Sequence, residues 1–236
     1  MTAIDRLLSV AYNEVGYLEK KNGKSLYDKT ANAGSANYTK YGYEMHKLYP
    51  TTMDYPAAWC DCFVDWCFVQ AFGKEKAMNI LHRFDDYTVN SAGYYKNNGE
   101  WYKTPKAGDQ IFFTDGKGCI CHTGIVYAID AHYVYTIEGN TSSSAGVVAN
   151  GGCVAKKRYS LTYNRIAGYG RPKYELVEEK KMLETGNDIV WQLMNGNPKI
   201  TISDPDKAIK ALDNAKNHPE FLSLYWIIYK IVNGNK

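Results

Sequence analysis

The sequence has no apolar run near the ~20 residues needed to cross a bilayer, so no membrane insertion is expected. Its N-terminus, MTAIDRLLSVAYNEVGY, lacks a basic segment followed by a continuous apolar core, the mark of a Sec signal. The expectation is a protein held in a cytoplasm until something else releases it. Charge of one sign is scarce too: 28 Lys and Arg against 25 Asp and Glu leave a net +3. That balance does not announce a nucleic-acid partner, and it would not repel an anionic wall. No internal repeat marks a sugar- or choline-binding array. Asp28, Asp54 and Asp61 do not form the alternating ladder of a calcium loop.

Cysteine is present, but not in the patterns that would make it structural. Cys60-x-Cys62, Cys67, Cys119-x-Cys121 with His122, and Cys153 lack the C-x₂₋₄-C spacing of common zinc sites. On a helix, Cys60 and Cys62 would point roughly 200° apart. On a strand, Cys121 and His122 would face opposite sides. A disulfide set is unexpected in a reducing compartment. The expectation is free thiols, with no metal and no other cofactor.

What the sequence has in quantity is tyrosine, 21 residues against 7 Phe and 5 Trp, which suits half-exposed grooves and polar ligands. With 45% hydrophobic and 22% charged residues, the 236-residue chain fits one sizeable globular domain and a small appendage. Ile4, Leu7, Leu8 and Ala11 mark an amphipathic helix ending near Gly16. Residues 19–55 read as loop, with Asn-Gly at 23–24 and turn residues from Asn32 to Asn37. PAAWCDCFVDWCFVQAFG then carries an apolar stripe at helical spacing, from Phe63 and Val64 to Ala71 and Phe72, with Gly73 where a helix would end. Lys76 to Leu81 suits a short helix, followed by a polar loop through Asn98.

From there the period changes. Gln110–Thr114, Cys119–Ile129, Tyr133–Glu138, Gly152–Tyr159 and Ile166–Arg171 read as strands, and Asp115-Gly-Lys-Gly118 is a hairpin signal. Helices followed by a meandering antiparallel sheet predict an α+β domain ending near residue 175.

Three places on this frame could carry chemistry. Cys60 stands at the start of the helical stripe, where unpaired backbone N–H groups and the helix dipole favour thiolate. The bland alternative is one more small hydrophobe in a buried helix. His122 lies on a strand face otherwise apolar, shared with Ile120, Gly124 and Val126. Glu138 and Asn140 are two apart and share a face if the strand stays extended. An imidazole facing a cysteine can take its proton, and a carboxylate or amide behind the ring fixes the tautomer. A structural histidine and an ordinary turn are the competing readings of these two.

WCDCFVDWC, GDQIFF, HTGIVY and IEGNTS, in that order and spacing, resemble the CHAP domain, the cysteine- and histidine-dependent amidohydrolase/peptidase family. The likeness covers most of residues 1–174. NAGSANYTKYG together with AWCDCFVDWC further resembles the CHAP endolysins of phages infecting Clostridia-like gut bacteria. The resemblance implies a papain-like fold with helices packed on an antiparallel sheet. It also implies a peptidoglycan hydrolase cutting an amide, the N-acetylmuramoyl-L-alanine bond ahead of a stem or cross-bridge peptide bond. It assigns Cys60 as nucleophile, His122 as base, and Glu138 with Asn140 as the groups behind the ring; Cys62 and Cys67 fall to packing or local support. An oxyanion would be held by N–H groups at the start of the Cys60 helix, with a further side-chain donor from the Asp54–Tyr55 region. A non-catalytic wall-binding protein on the same scaffold is the alternative.

The remainder is a different object. Residues 176–186 read as a charged linker, and 187–236 as a small helical domain. Its helices are expected at Asn187–Met194, at 204–215 with Asp204 as N-cap and Pro205 at N1, and at 221–232. The last is apolar nearly all round and must pack on something: the catalytic domain, a second copy in a homodimer, or a wall ligand.

Overall fold

The structure, a computed structural model, describes residues 2–177 and the backbone of 182–183 and 201–202. The chain divides into two compact units, Met1–Glu178 and Glu179–Lys236.

The first unit is α+β. Helix α1, Ala3–Glu14, opens with a capping box in which the Thr2 hydroxyl accepts from Asp5 N and the Asp5 carboxylate from Thr2 N. Helix α2, Lys40–Leu48, lies inside the stretch that reads as loop. Its KYGYEMHKL sequence mixes five good helix formers with two tyrosines and a glycine, and Tyr41 and Met45, one turn apart, are both fully buried. The Thr39 hydroxyl caps it by accepting from Gly42 N at 3.0 Å, a contact worth about 1 kcal/mol.

Helix α3, Cys60–Phe72, is the hub. The expected one-sided stripe is not what it shows, because all nine residues from Cys60 to Phe68 are buried. The reason is its position among α1, α2, a following helix and two central strands, which leaves its first half no solvent face. Gly73 ends it with φ +79°, a backbone angle that favours glycine. Helix α4, Lys74–Leu81, follows at once. Helix α5, Thr88–Asn97, replaces the expected polar loop: TVNSAGYYKN has no clear apolar period, and burial of Ala92 and Tyr95 holds it in place.

The strands are β1 (Trp101–Tyr102), β2 (Gln110–Thr114), β3 (Ile120–Ile129), β4 (Tyr133–Thr141), β5 (Cys153–Ser160) and β6 (Ile166–Gly170). They form one antiparallel sheet in the order β1-β6-β2-β3-β4-β5. The β2–β3 hairpin closes where Asp115-Gly-Lys-Gly predicts it. Asp115 Oδ1 accepts from Lys117 N at 2.7 Å, and Gly116 and Gly118 take positive φ. One face of the sheet sends Phe112, Ile125, Ile137 and Val154 into the core shared with the helices. The other carries a second, smaller core of Ile111, Phe113, Val126, Val134, Tyr159 and Tyr169.

A 3₁₀ turn, Tyr174–Leu176, closes the unit, its Tyr174 ring stacked on Phe68. In the second unit two short strands, β7 (Met182–Leu183) and β8 (Thr201–Ile202), pair in parallel. A strand pair there departs from the all-helical expectation; the helices expected at Asn187–Met194, 204–215 and 221–232 lie outside the described residues.

Candidate active site

Cys60 is the first residue of α3, and its two neighbours are held in place. Before it, Trp59 Nε1 donates to Glu19 Oε2 at 2.9 Å while the Trp59 ring stacks on Tyr41. After it, Asp61 is fully buried, accepting from Ser91 Oγ at 2.6 Å and Gln110 Nε2 at 2.8 Å. Burial comes first in pushing the Asp61 carboxyl up to about 7, and the two hydrogen bonds pull against it. Trp59 supplies no side-chain cap to α3.

Two glycines let the helix and the strands meet. At Gly139 a Cβ would fall 2.6 Å from Phe63 Cβ and 2.9 Å from the Trp59 ring, so only glycine lets α3 lie directly on β4. At Gly124 a Cβ would fall 2.5 Å from Glu138 Cγ; its absence makes the space that the Glu138 side chain fills.

His122, on β3, is fully buried. Its Nε2 lies 3.0 Å from Glu138 Oε2, and Phe113 stacks against its ring at 6.0 Å between centroids. Among the described residues Nδ1 has no hydrogen-bond partner, and the Cys60 side chain is near enough to act on the imidazole. Burial would push the imidazole pKa down. Hydrogen bonding to Cys60 and to Glu138, and then their charges, outweigh burial and raise it to about 10. The structure thus brings imidazole and carboxylate together and sets Cys60 within their electrostatic reach, the residue types that nucleophilic catalysis by cysteine uses.

Glu138, equally buried, accepts two more hydrogen bonds, from Thr136 Oγ1 at 2.5 Å and Tyr159 Oη at 3.1 Å. Sequence reading missed both. Thr136 had a signal, since it is two residues from Glu138 and so on its face. Tyr159 had none, because β5 is brought alongside only by the sheet.

Asn140 does not join the line. Its Nδ2 donates to Ala149 O at 3.3 Å, and its backbone O accepts from Gly151 N. The shared face expected for Glu138 and Asn140 fails because Asn140 takes φ +53° where the β4–β5 register shifts. The extended alternation breaks there, and Asn140 closes the loop toward β5 instead. Asp54 and Tyr55 make no hydrogen bond to Cys60 or His122. Asp54 N donates to Asp86 Oδ2, and the Tyr55 ring packs on Tyr38 and Tyr43.

All six cysteines are unpaired. Cys62 and Cys67 are buried in α3, and burial pushes both thiols well up. Cys121 stands beside His122 where the β2–β3 register shifts, its Sγ 3.7 Å from Arg165 Nη2. No group of three or more His, Cys, Asp or Glu among the described residues is arranged to hold a metal ion.

The family model of the CHAP domain matches residues 50–140, a stretch that contains Cys60, His122, Glu138 and Asn140. This part of the chain is similar to CHAP domains, and the α+β architecture agrees with that likeness. No curated protein and no solved structure matches the chain.

Proposed function

We propose that this protein is a peptidoglycan hydrolase that cleaves an amide bond of the bacterial wall, with Cys60 as nucleophile. One observation carries the reading: His122, fully buried within a CHAP-like stretch, has Glu138 at 3.0 Å from its Nε2 and Cys60 among the groups that raise its pKa. In the proposed course His122 takes the Cys60 proton at Nδ1, and the thiolate sulfur attacks the scissile carbonyl carbon. The oxyanion is held by backbone N–H groups at the uncapped start of α3. His122 returns its proton to the leaving amine, and the C–N bond breaks. It then deprotonates a water, which attacks the thioester and frees Cys60. Glu138 keeps the ring in one tautomer and supports the imidazolium.

Within that class we place the protein as an endolysin, held in the host bacterium and released to the wall at lysis. The N-acetylmuramoyl-L-alanine bond is the proposed target. Support for these finer points is the likeness of NAGSANYTKYG and AWCDCFVDWC to CHAP endolysins.

The test is incubation of the protein, and of Cys60→Ala, with peptidoglycan from a Gram-positive gut bacterium, with the released fragments identified by mass. The variant is expected to lose activity by about 10³-fold or more. New amino-terminal L-alanine marks the amidase, and other termini mark an endopeptidase. If both proteins sediment with the wall and release nothing, a non-catalytic wall-binding role replaces the hydrolase.

A further inference from the structure

Glu138 has no water contact and three donors: His122 Nε2 and Tyr159 Oη on Oε2, and Thr136 Oγ1 on Oε1. A buried carboxylate is held in one orientation by the donors on its oxygens, and each donor on Glu138 helps keep Oε2 facing His122 Nε2.

We propose that Tyr159 and Thr136 are positioning residues that hold the Glu138 carboxylate facing His122 and so keep the imidazole aligned for Cys60. The proposal rests on the hydrolase reading above. Thr136 Oγ1 is fully buried and makes this one side-chain hydrogen bond. Tyr159 is 3% exposed, and its hydroxyl also lies 3.4 Å from Gly146 O. Its ring is fixed from two sides, by Phe113 at 4.6 Å and by Tyr163 at 5.4 Å between centroids. Phe113 stacks in turn on His122, so one packed aromatic set aligns both the imidazole and the hydroxyl behind it. Burial, and then the Glu138 charge, push the Tyr159 phenol pKa up, so the hydroxyl keeps its proton for Glu138.

The experiment follows alkylation of Cys60 by iodoacetamide across pH, resolved by peptide mass spectrometry, in the full chain and in Tyr159→Phe, Thr136→Val and Thr136→Ser. Exposed Cys119 serves as internal reference. Peptidoglycan release and thermal unfolding are measured on the same proteins. Tyr159→Phe keeps the ring stack and removes only the hydroxyl. It is expected to lower kcat/KM about tenfold, the size of one hydrogen bond to a charged group. The alkaline limb of activity should also move to lower pH from near 10. Thr136→Val should shift the limb the same way, and Thr136→Ser should restore it. If both apolar variants melt earlier but keep the wild-type limb and Cys60 labelling, the residues are merely structural and the proposal falls. If wild-type Cys60 labels no faster than Cys119 at neutral pH, the Cys60–His122 pairing itself fails, and the proposal with it.

Discussion

At the scale of single residues, the site depends as much on two missing side chains as on the reactive ones. Gly124 is the sharper case. A methyl group there would meet Glu138 Cγ at 2.5 Å and the Ile137 carbonyl oxygen at 2.9 Å. The second contact is backbone in the middle of a sheet and cannot turn away, so Glu138 must move. We expect Gly124→Ala to cost about 1–3 kcal/mol of stability in denaturant unfolding. It should also cut wall hydrolysis disproportionately, by tenfold or more at temperatures where the variant is fully folded. Unchanged activity in the folded variant would show that Glu138 need not be held where it is.

At the scale of elements, α3 carries a burden that its sequence announces only in part. It places Cys60, yet it buries Asp61 and Asp65, one turn apart, in a helix with no solvent face over its first half. Burial pushes both carboxyls up, Asp61 to about 7, with the charge of Asp61 the next cause at Asp65. The sign follows from proton binding: between the unfolded value near 3.8 and about 7, the folded chain holds protons that the unfolded chain releases. Stability from Asp61 is therefore full below about 4 and is lost as pH rises through about 7. Asp61→Asn keeps the shape, with Oδ1 accepting from Gln110 and Nδ2 donating to Ser91 Oγ. Melting temperature measured from pH 4 to 8 should fall less steeply for the variant, leaving it the more stable protein at the alkaline end. A wild-type profile that rises with pH over this window would contradict the buried-acid account.

At the scale of the whole molecule, the described chemistry is confined to Met1–Glu178, and Glu179–Lys236 is a separate compact unit. The first unit has its own cores on both faces of its sheet and closes on the buried Val177. A chain ending at residue 178 is expected to unfold in one cooperative transition and to keep its rate on soluble wall fragments within about threefold. If the second unit targets the wall, the truncated chain should sediment less with intact peptidoglycan. If it dimerises, sedimentation equilibrium should show the full chain as a dimer and the fragment as a monomer. Loss of the fragment's rate on soluble substrate would mean that the second unit completes the site.

How much of this was legible beforehand differs by the range of the contacts involved. The α3 helix, the β2–β3 hairpin and the major strands were readable because periodicity and turn chemistry act over a few residues. The helix start at Cys60 and the strand face of His122 were readable because they are local facts too, but choosing them as a candidate pair rested on the likeness to CHAP domains, since a packing thiol and a structural histidine fit the local pattern as well. Helix α5 was not readable, because burial of Ala92 and Tyr95 against distant elements stabilises it rather than local propensity, whereas α2 had local signals, the Thr39 cap and several helix formers, that the turn residues before it obscured. By itself, then, the sequence determined an α+β chain with a thiol at a helix start, an imidazole on an apolar strand face and a carboxylate at a strand end. Only the tertiary structure decided that Glu138 stands behind the ring and Asn140 does not, since one positive φ and one register shift break the strand's alternation. It alone brought Tyr159 from β5 onto Glu138, because strand pairing joins residues that no spacing along the chain connects.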